Sequence, residues 1–181
     1  DILIDAFILL KKKKEFSDVK LILTGGSSGD DKKYLSDIKH RLREHGLHHQ
    51  VEIHEDFEEL GLREYFKKVS MVSVPVRNGE AFGLYLLECM ASGVPVVQPA
   101  LGAFPEIVEL TGGGIIYKEN TPEVLAQSLE RLLSDQEELD RLSRKGKEGV
   151  NQHFRIDMQA ERMVAIYEKA IGKEVPELVS K

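Results

Sequence analysis

The sequence predicts an α/β fold, a doubly wound parallel sheet with helices on both faces. Two observations support this prediction. Short apolar runs rich in β-branched residues alternate along the chain with longer segments of helical periodicity. Between Met71 and Pro99, a strand, a polar loop, a helix and a second strand follow one another, which is the order of a βαβ unit.

Composition limits the class of protein. The 181 residues are enough for one domain with a full core, which we expect over residues 1–171, with a loose tail over residues 172–181. A net charge of −6 argues against a nucleic-acid partner. No apolar run reaches the roughly 20 residues of a membrane span. The single cysteine, Cys89, cannot form an internal disulfide and fits a reducing, cytoplasmic location.

The first half of the chain is predicted to hold three helices and two strands. The apolar segment Asp1–Leu10 predicts a well-buried helix. The other helices are predicted at Asp31–His45 and Glu59–Val69, and the strands at Val19–Thr24 and Val51–His54.

The second half begins with Met71–Val76, whose β-branched run predicts a strand buried on both faces. A helix is predicted over Phe82–Ala91, with Phe82, Leu86, Cys89 and Met90 on one buried stripe and Gly93 in the left-handed position that ends it. Ile115–Tyr117 is the last predicted strand. Three helical segments follow: one capped by Thr121, one capped by Ser134 and ending near His153, and one from Phe154. The last has an apolar side formed by Met158, Met163, Ile166, Tyr167 and Ile171.

Four histidines, His40, His45, His48 and His49, lie close together in the sequence. No cysteine or paired carboxylate joins them at the spacing of metal ligands, so we expect solvated histidines and no bound metal.

Two glutamates mark the predicted βαβ unit, Glu80 in its loop and Glu88 on its helix, with seven residues between them. If the helix began directly after Glu80, the carboxylates would lie roughly 12 Å apart along its axis. Acid–base work on one bond needs about 5 to 10 Å, so the spacing favours two contacts on one long ligand. The N–H groups of Phe82, Gly83 and Leu84 would open the helix and attract phosphate, and Gly83 would permit close approach. A nucleotide sugar fits this arrangement.

These residues carry a family resemblance. The string EAFGLYLLE followed by CMASGVPVV resembles the E-x7-E segment of retaining GT-B glycosyltransferases, the large family called glycosyl transferases group 1. The similarity continues through GAFPEIVELTGGGIIY and into the final helices. The resemblance implies a Rossmann-like, donor-binding domain, the C-terminal half of a GT-B fold.

The resemblance also implies roles for individual residues. Glu80 would act on the donor sugar as the catalytic residue, and Glu88 would hydrogen-bond the ribose hydroxyls. The further donor-binding positions are Ala81, Phe82, Gly83 and Leu84 beside the diphosphate or sugar, Gly25 and Gly26 beside the nucleotide, Ile53 and His54 beside the base, and Gly102 beside the sugar. For the Gly25–Gly26 loop, a plain turn is an equal alternative. At Ala103 the family usually has a second glycine.

The whole protein implied by the resemblance is a hexosyltransferase without a metal or other cofactor. Its acceptor would be bound by an N-terminal domain that is not in this chain. In the family, a strand and loop that precede the first helix of the donor-binding domain carry an Arg and a Lys that bind the donor's phosphates. These residues are absent here, so we expect the chain to be a fragment that begins inside its own domain. We therefore expect the chain alone to be inactive, and contact with the cytoplasmic membrane face only through that N-terminal half. The alternatives are a non-catalytic nucleotide-binding or scaffold module of the same ancestry, and a nucleotide-sugar epimerase.

Overall fold

The computed structural model describes residues 1–25, 31–54 and 61–172. The elements of the first half are α1 (Ile2–Leu10), β1 (Leu21–Thr24), α2 (Lys32–Glu44), β2 (Val51–His54) and α3 (Leu62–Lys68). Those of the second half are α4 (Leu84–Ala91), β3 (Val96–Pro99), α5 (Phe104–Thr111), β4 (Gly114–Tyr117), α6 (Pro122–Leu133), α7 (Gln136–His153) and α8 (Ile156–Ala170). Short 3-10 helices lie at Lys14–Phe16 and His48–Gln50.

The described strands form two parallel pairs. β1 pairs with β2 from Leu21 opposite Val51 to Thr24 opposite His54. β3 pairs with β4 from Val96 opposite Gly114 onward. Parallel pairs need crossover connections, and helices supply them in both cases.

Helices cover both faces of the β3–β4 pair, which confirms the predicted doubly wound α/β class. Val96 points to one face and packs with Leu86 of α4 and Phe104 of α5. Its neighbour Val97 points to the other face and packs with Leu125 of α6. Successive strand residues alternate between faces, so β3 is buried from both sides.

Helix α1 connects the two pairs. Ala6 belongs to the cluster with α6 and β3, whereas Ile4 and Phe7 pack with Ile38 and Leu42 of α2 beneath β1 and β2. A helix that is apolar nearly all round can bury two faces at once. The prediction of a well-buried first helix is confirmed.

The strand predicted at Met71–Val76 is wrong in extent. It is reduced to one bridge, in which the Val72 N–H donates to the Pro95 carbonyl at 3.0 Å. Further along, the Val74 N–H donates instead to Oε1 of Gln98 at 3.1 Å. Pro75 has no N–H to offer a ladder. Val74 is also 37% exposed, so this segment is not buried on both faces.

The helix predicted from Phe82 begins later, at Leu84, because Gly83 takes the left-handed conformation with φ of +76° as its N-cap. Phe82 therefore lies outside the helix and off the buried stripe, 47% exposed. The predicted end is confirmed. Gly93 has φ of +80°, and the Val94 N–H donates to the Cys89 carbonyl at 2.9 Å, which closes a Schellman motif.

Three other differences concern helices. Asp135, not Ser134, caps α7, since Oδ1 of Asp135 accepts the Glu138 N–H at 2.9 Å. Helix α5 was not predicted from the sequence. The side of α8 predicted to be buried is largely exposed: Met163, Ile166, Tyr167 and Ile171 all face solvent.

Two predictions fall partly outside the described residues. Glu59, at the start of the predicted third helix, lies there, and the observed helix begins at Leu62. Of the predicted loose tail only Gly172 is described, so the domain boundary stays a prediction. Within the described ranges, no helix is long and apolar enough to cross a membrane.

Candidate functional site

Glu80 stands at the end of a short loop, residues 77–80, that follows the bridged segment. Its carbonyl oxygen accepts the Ala103 N–H at 3.0 Å. Gly79 and Gly102 both have positive φ, and a Cβ atom placed on Gly79 would lie 3.3 Å from the Gly102 nitrogen. The loop after β3 therefore lies directly against the Glu80 loop, backbone to backbone.

The side chain of Glu80 packs against the backbone of Gly83. A Cβ atom on Gly83 would lie 3.1 Å from Cγ of Glu80 and 3.3 Å from Cε1 of Phe104. Oε1 of Glu80 accepts the Ala81 N–H at 3.0 Å. The absence of a side chain at Gly83 is therefore what lets Glu80 lie close to the start of α4.

The N-terminus of α4 begins at a glycine, Gly83, which has no side chain that could cap it. Among the described residues, no side-chain cap hydrogen bond is seen there and no acidic residue lies in the first turn of the helix. The N–H groups of Leu84 and Tyr85, the first two helical residues, have no carbonyl partner within the helix. Leu84 is 60% exposed, so this end faces solvent. Such an end attracts anions, phosphate above all. Of the amides expected to open the helix, that of Leu84 does, while those of Phe82 and Gly83 precede it.

A second helix, α5, begins beside the first. Its N-cap is Ala103, it too lacks a side-chain cap, and Pro105 lies in its first turn. The N–H of its N-cap, Ala103, donates to the Glu80 carbonyl, so the start of α5 also lies beside Glu80. Unlike α4, α5 has an acidic residue, Glu106, in its first turn, which offsets the positive end of its dipole. The signal that could have predicted α5 was Pro105 followed by Ile107, Val108 and Thr111 at helical spacing.

Glu88 lies half-buried on α4, next to Cys89. The thiol of Cys89 is buried, and burial, together with the negative charge of Glu88, raises the pKa of Cys89 to about 12. A thiol with such a pKa stays protonated at neutral pH and is a poor nucleophile.

An aromatic contact links the site loop to the last helices. The ring of Phe82 meets that of Phe154 edge-on, with centroids 6.4 Å apart. Phe154 is the C-cap residue of α7. The segment between Glu80 and α4 is thus in contact with the α7–α8 junction, while the Glu80 loop itself contacts the start of α5.

The predicted nucleotide positions lie at a different edge. Thr24 pairs with His54, so Gly25, Ile53 and His54 share the carboxyl end of the β1–β2 pair. Nε2 of His54 is buried and lies 3.6 Å from Oε2 of Glu52, too far for a hydrogen bond. Gly26 lies outside the described residues. No hydrogen bond or ring contact between described residues joins this group to the Glu80 group.

The four clustered histidines form no ligand set in the part of the chain that the structure describes, where no three His, Cys, Asp or Glu side chains converge on one point. His40 instead lies 3.5 Å from Glu44 on the same helix, and the rings of His48 and His49 lie 3.8 Å apart.

The chain matches known proteins over most of its length. The family model for glycosyl transferases group 1 matches residues 1–149. An uncharacterized glycosyltransferase of Methanocaldococcus jannaschii is 30% identical over 90% of this chain and 40% of its own length. A lipopolysaccharide core biosynthesis mannosyltransferase of Rhizobium meliloti is 28% identical, over 93% of this chain and 47% of its own. The chain thus spans less than half the length of these relatives.

The chain is also similar in fold to solved structures. Sucrose-phosphate synthase from Thermosynechococcus elongatus matches with a TM-score of 0.75 and 25% identity, over 93% of this chain and 42% of that one. The C-terminal domain of the group 1 protein LpcC from Francisella tularensis matches with 0.73 and 24%, over 86% and 78%. HepE from Anabaena, in complex with UDP, matches with 0.77 and 20%, over 93% and 44%. The fold is that of one half of a GT-B enzyme.

Proposed function

The chain belongs to the glycosyl transferases group 1 family, and from that premise we propose that it is the donor-binding half of a retaining glycosyltransferase. Its ligand would be a nucleoside diphosphate sugar. The whole protein, a hexosyltransferase in this proposal, would transfer the sugar to an acceptor held by a second, N-terminal domain. The length of the relatives supports that division, since the chain spans 40% and 47% of two of them.

The observation that carries the proposal is the meeting of Glu80 with the uncapped start of α4. A carboxylate can accept hydrogen bonds from sugar hydroxyls, and the free amides at a helix N-terminus can donate hydrogen bonds to a diphosphate. Both groups are held by the same close packing around Gly83. We assign the donor sugar to Glu80 and the diphosphate to the amides of Leu84 and Tyr85.

We assign the ribose hydroxyls to Glu88, one turn further along α4. Its carboxylate can accept hydrogen bonds from two adjacent hydroxyls at once. The remaining donor positions, Ala81, Phe82 and Gly102, would line the sugar. The base would lie at the β1–β2 edge beside Gly25, Ile53 and His54. HepE, which has the same fold and was solved in complex with UDP, supports a nucleotide as the kind of ligand.

In this proposal the domain contributes to the reaction by charge and position. Negative charge grows on the departing diphosphate, and prearranged amides stabilise it more strongly than water does. No step needs a metal or a nucleophilic thiol from this half. Because acceptor positioning would come from the second domain, we expect the 181-residue chain alone to transfer no sugar.

Calorimetric titration of the 181-residue chain tests the proposal. UDP, GDP and ADP are each compared with the corresponding nucleoside. We expect at least one diphosphate to bind and its nucleoside to bind at least about tenfold more weakly, because the nucleoside lacks the charged group that meets the α4 amides. Absence of binding by all three diphosphates would contradict a donor-binding role.

A further inference from the structure

The segment that leads to Glu80 leaves the sheet ladder early. Val72 makes two ladder hydrogen bonds, donating to the Pro95 carbonyl and accepting the Val97 N–H at 2.9 Å. Beyond Val72, the backbone of this segment is hydrogen-bonded by side chains and no longer by a neighbouring strand. Gln98 receives the Val74 N–H, and the carbonyl of Val76 accepts a hydrogen bond from Nδ2 of Asn120 at 2.8 Å. The end of this segment is therefore held by a side chain that lies 44 residues further along the chain.

The amide of Asn120 has one orientation that satisfies its partners. The Val76 carbonyl can only accept, so it must face the NH2 group. The oxygen, Oδ1, then faces the hydroxyl of Tyr117, which donates to it at 3.1 Å. Tyr117 is 4% exposed and belongs to β4, so this orienting hydroxyl is anchored in the core.

Only three residues separate Val76 from Glu80. The far end of this loop is held by the Ala103 N–H on the Glu80 carbonyl and by the close approach of Gly79 to Gly102. The near end is held by Asn120. A loop fixed at both ends keeps its last residue in place, and loss of either anchor frees it.

We propose that Asn120 is a positioning residue for Glu80: its amide, oriented by Tyr117, fixes the start of the loop that presents this carboxylate. The functional meaning of this inference rests on the proposed role of Glu80. The positioning itself does not, because it can be measured without any ligand.

The test uses amide hydrogen exchange by NMR on the 181-residue chain. Asn120→Asp keeps the size of the side chain and an acceptor for Tyr117, but it replaces the donor that faces the Val76 carbonyl with an oxygen. Asn151→Asp, at an exposed position on α7, is the matched control for the added charge. Three amides report the outcome. The amides of Ala81 and Ala103 both donate to Glu80, and that of Val96 donates to the Gly113 carbonyl in the sheet.

We expect Asn120→Asp to speed exchange at Ala81 and Ala103 by about tenfold, the scale of one lost hydrogen bond, while Val96 exchanges as in the parent. Tyr117→Phe, which removes only the orienting hydroxyl, should change the same two amides by a smaller factor. Unchanged exchange at Ala81 and Ala103 in Asn120→Asp would overturn the inference. An equal rise at all three amides would also overturn it, since that pattern means a general loss of stability.

A second readout connects the inference to function. Asn120→Asp should weaken binding of a nucleotide sugar more than binding of the bare diphosphate, because Glu80 is assigned to the sugar. If no nucleotide or nucleotide sugar binds the parent chain, the proposed function fails while the exchange result still decides the role of Asn120. Equal weakening of both ligands, with selective exchange at the two amides, would assign Glu80 to the diphosphate instead.

Discussion

Gly102 lies against the backbone of Glu80, so closely that a Cβ atom on Gly102 would stand 2.2 Å from the Glu80 carbonyl oxygen and 2.6 Å from its nitrogen. No side chain fits at that distance. The neighbouring Ala103 uses the same approach to donate its N–H to Glu80. In this structure the absence of a side chain at Gly102 therefore permits the close packing of the Glu80 backbone. A contact between Gly102 and a donor sugar remains a proposal.

Gly102→Ala should destabilise the protein and displace Glu80. The added methyl group must push two backbones apart, and φ of +56° is itself strained for alanine. Gly46→Ala is the matched control, because Gly46 has φ of +69° but nothing within 4 Å of the added carbon. In urea unfolding we expect the Gly102 variant to lose about 1 to 3 kcal/mol more than the control. Equal losses would mean that the close packing on Glu80 is relaxed at little cost.

Gly149→Ala should separate α7 from α5. A Cβ atom there would lie 2.4 Å from Cα of Thr111 and 2.5 Å from its carbonyl oxygen. Alanine normally stabilises a helix interior by roughly 0.5 to 1 kcal/mol relative to glycine. The sign of the change in the free energy of unfolding therefore shows whether this gain or the clash with Thr111 is larger. We expect a net loss of about 1 to 3 kcal/mol in urea unfolding. Asn151→Ala, exposed on the same helix, should show no comparable loss, and a stabilised Gly149 variant would refute the predicted contact.

Cys89 should resist alkylation in the folded protein. Burial raises its pKa from 9.0 to about 12, so the thiolate is scarce below that pH. The sign follows from linkage: the folded state holds the proton more tightly, so this contribution to stability is complete below pH 9 and is lost as the pH rises towards 12. At pH 8.5, iodoacetamide should label the urea-unfolded chain at least about tenfold faster than the native chain. Equal rates would show that the thiol is accessible and reactive.

Metal removal should leave the protein unchanged. The clustered histidines lack a second type of ligand in the sequence, and the proposed chemistry uses amides and carboxylates. Treatment with EDTA followed by dialysis should leave the melting temperature and nucleotide binding as they were. One equivalent of zinc or another transition metal, found by elemental analysis of the untreated protein, would contradict this expectation.

The parts of the fold that sequence could predict are those determined by local chemistry. Val51–His54 is a strand with the predicted bounds, and Thr121 caps α6 through Oγ1, which accepts the Val124 N–H at 3.3 Å. The predictions fail where residues that are distant in the sequence determine the local structure. Gln98, buried in β3, takes the N–H that would have continued the strand after Val72. Its position beside Val74 follows from tertiary packing, which no local pattern at either residue reports.

The candidate site shows the same division. Residue types, spacing and the family resemblance predict a site from Glu80 to Glu88, and that assignment stays a prediction. The first residue of the helix could not be predicted, because a glycine can adopt either helical or left-handed dihedral angles and the local sequence does not say which of them Gly83 adopts. Asn120 could not have been found at all, since its partner Val76 lies 44 residues away.

The central claim, that the segment from Glu80 to Glu88 binds a nucleoside diphosphate, is tested most directly at Glu88. The measurement is the calorimetric affinity of Glu88→Ala for the tightest-binding diphosphate, with Glu109→Ala, an exposed glutamate on α5, as the matched control. We expect Glu88→Ala to lose about 1.5 to 3 kcal/mol of binding free energy, the scale of hydrogen bonds to a charged group, and Glu109→Ala to bind as the parent does. Parental affinity in Glu88→Ala would contradict the site assignment.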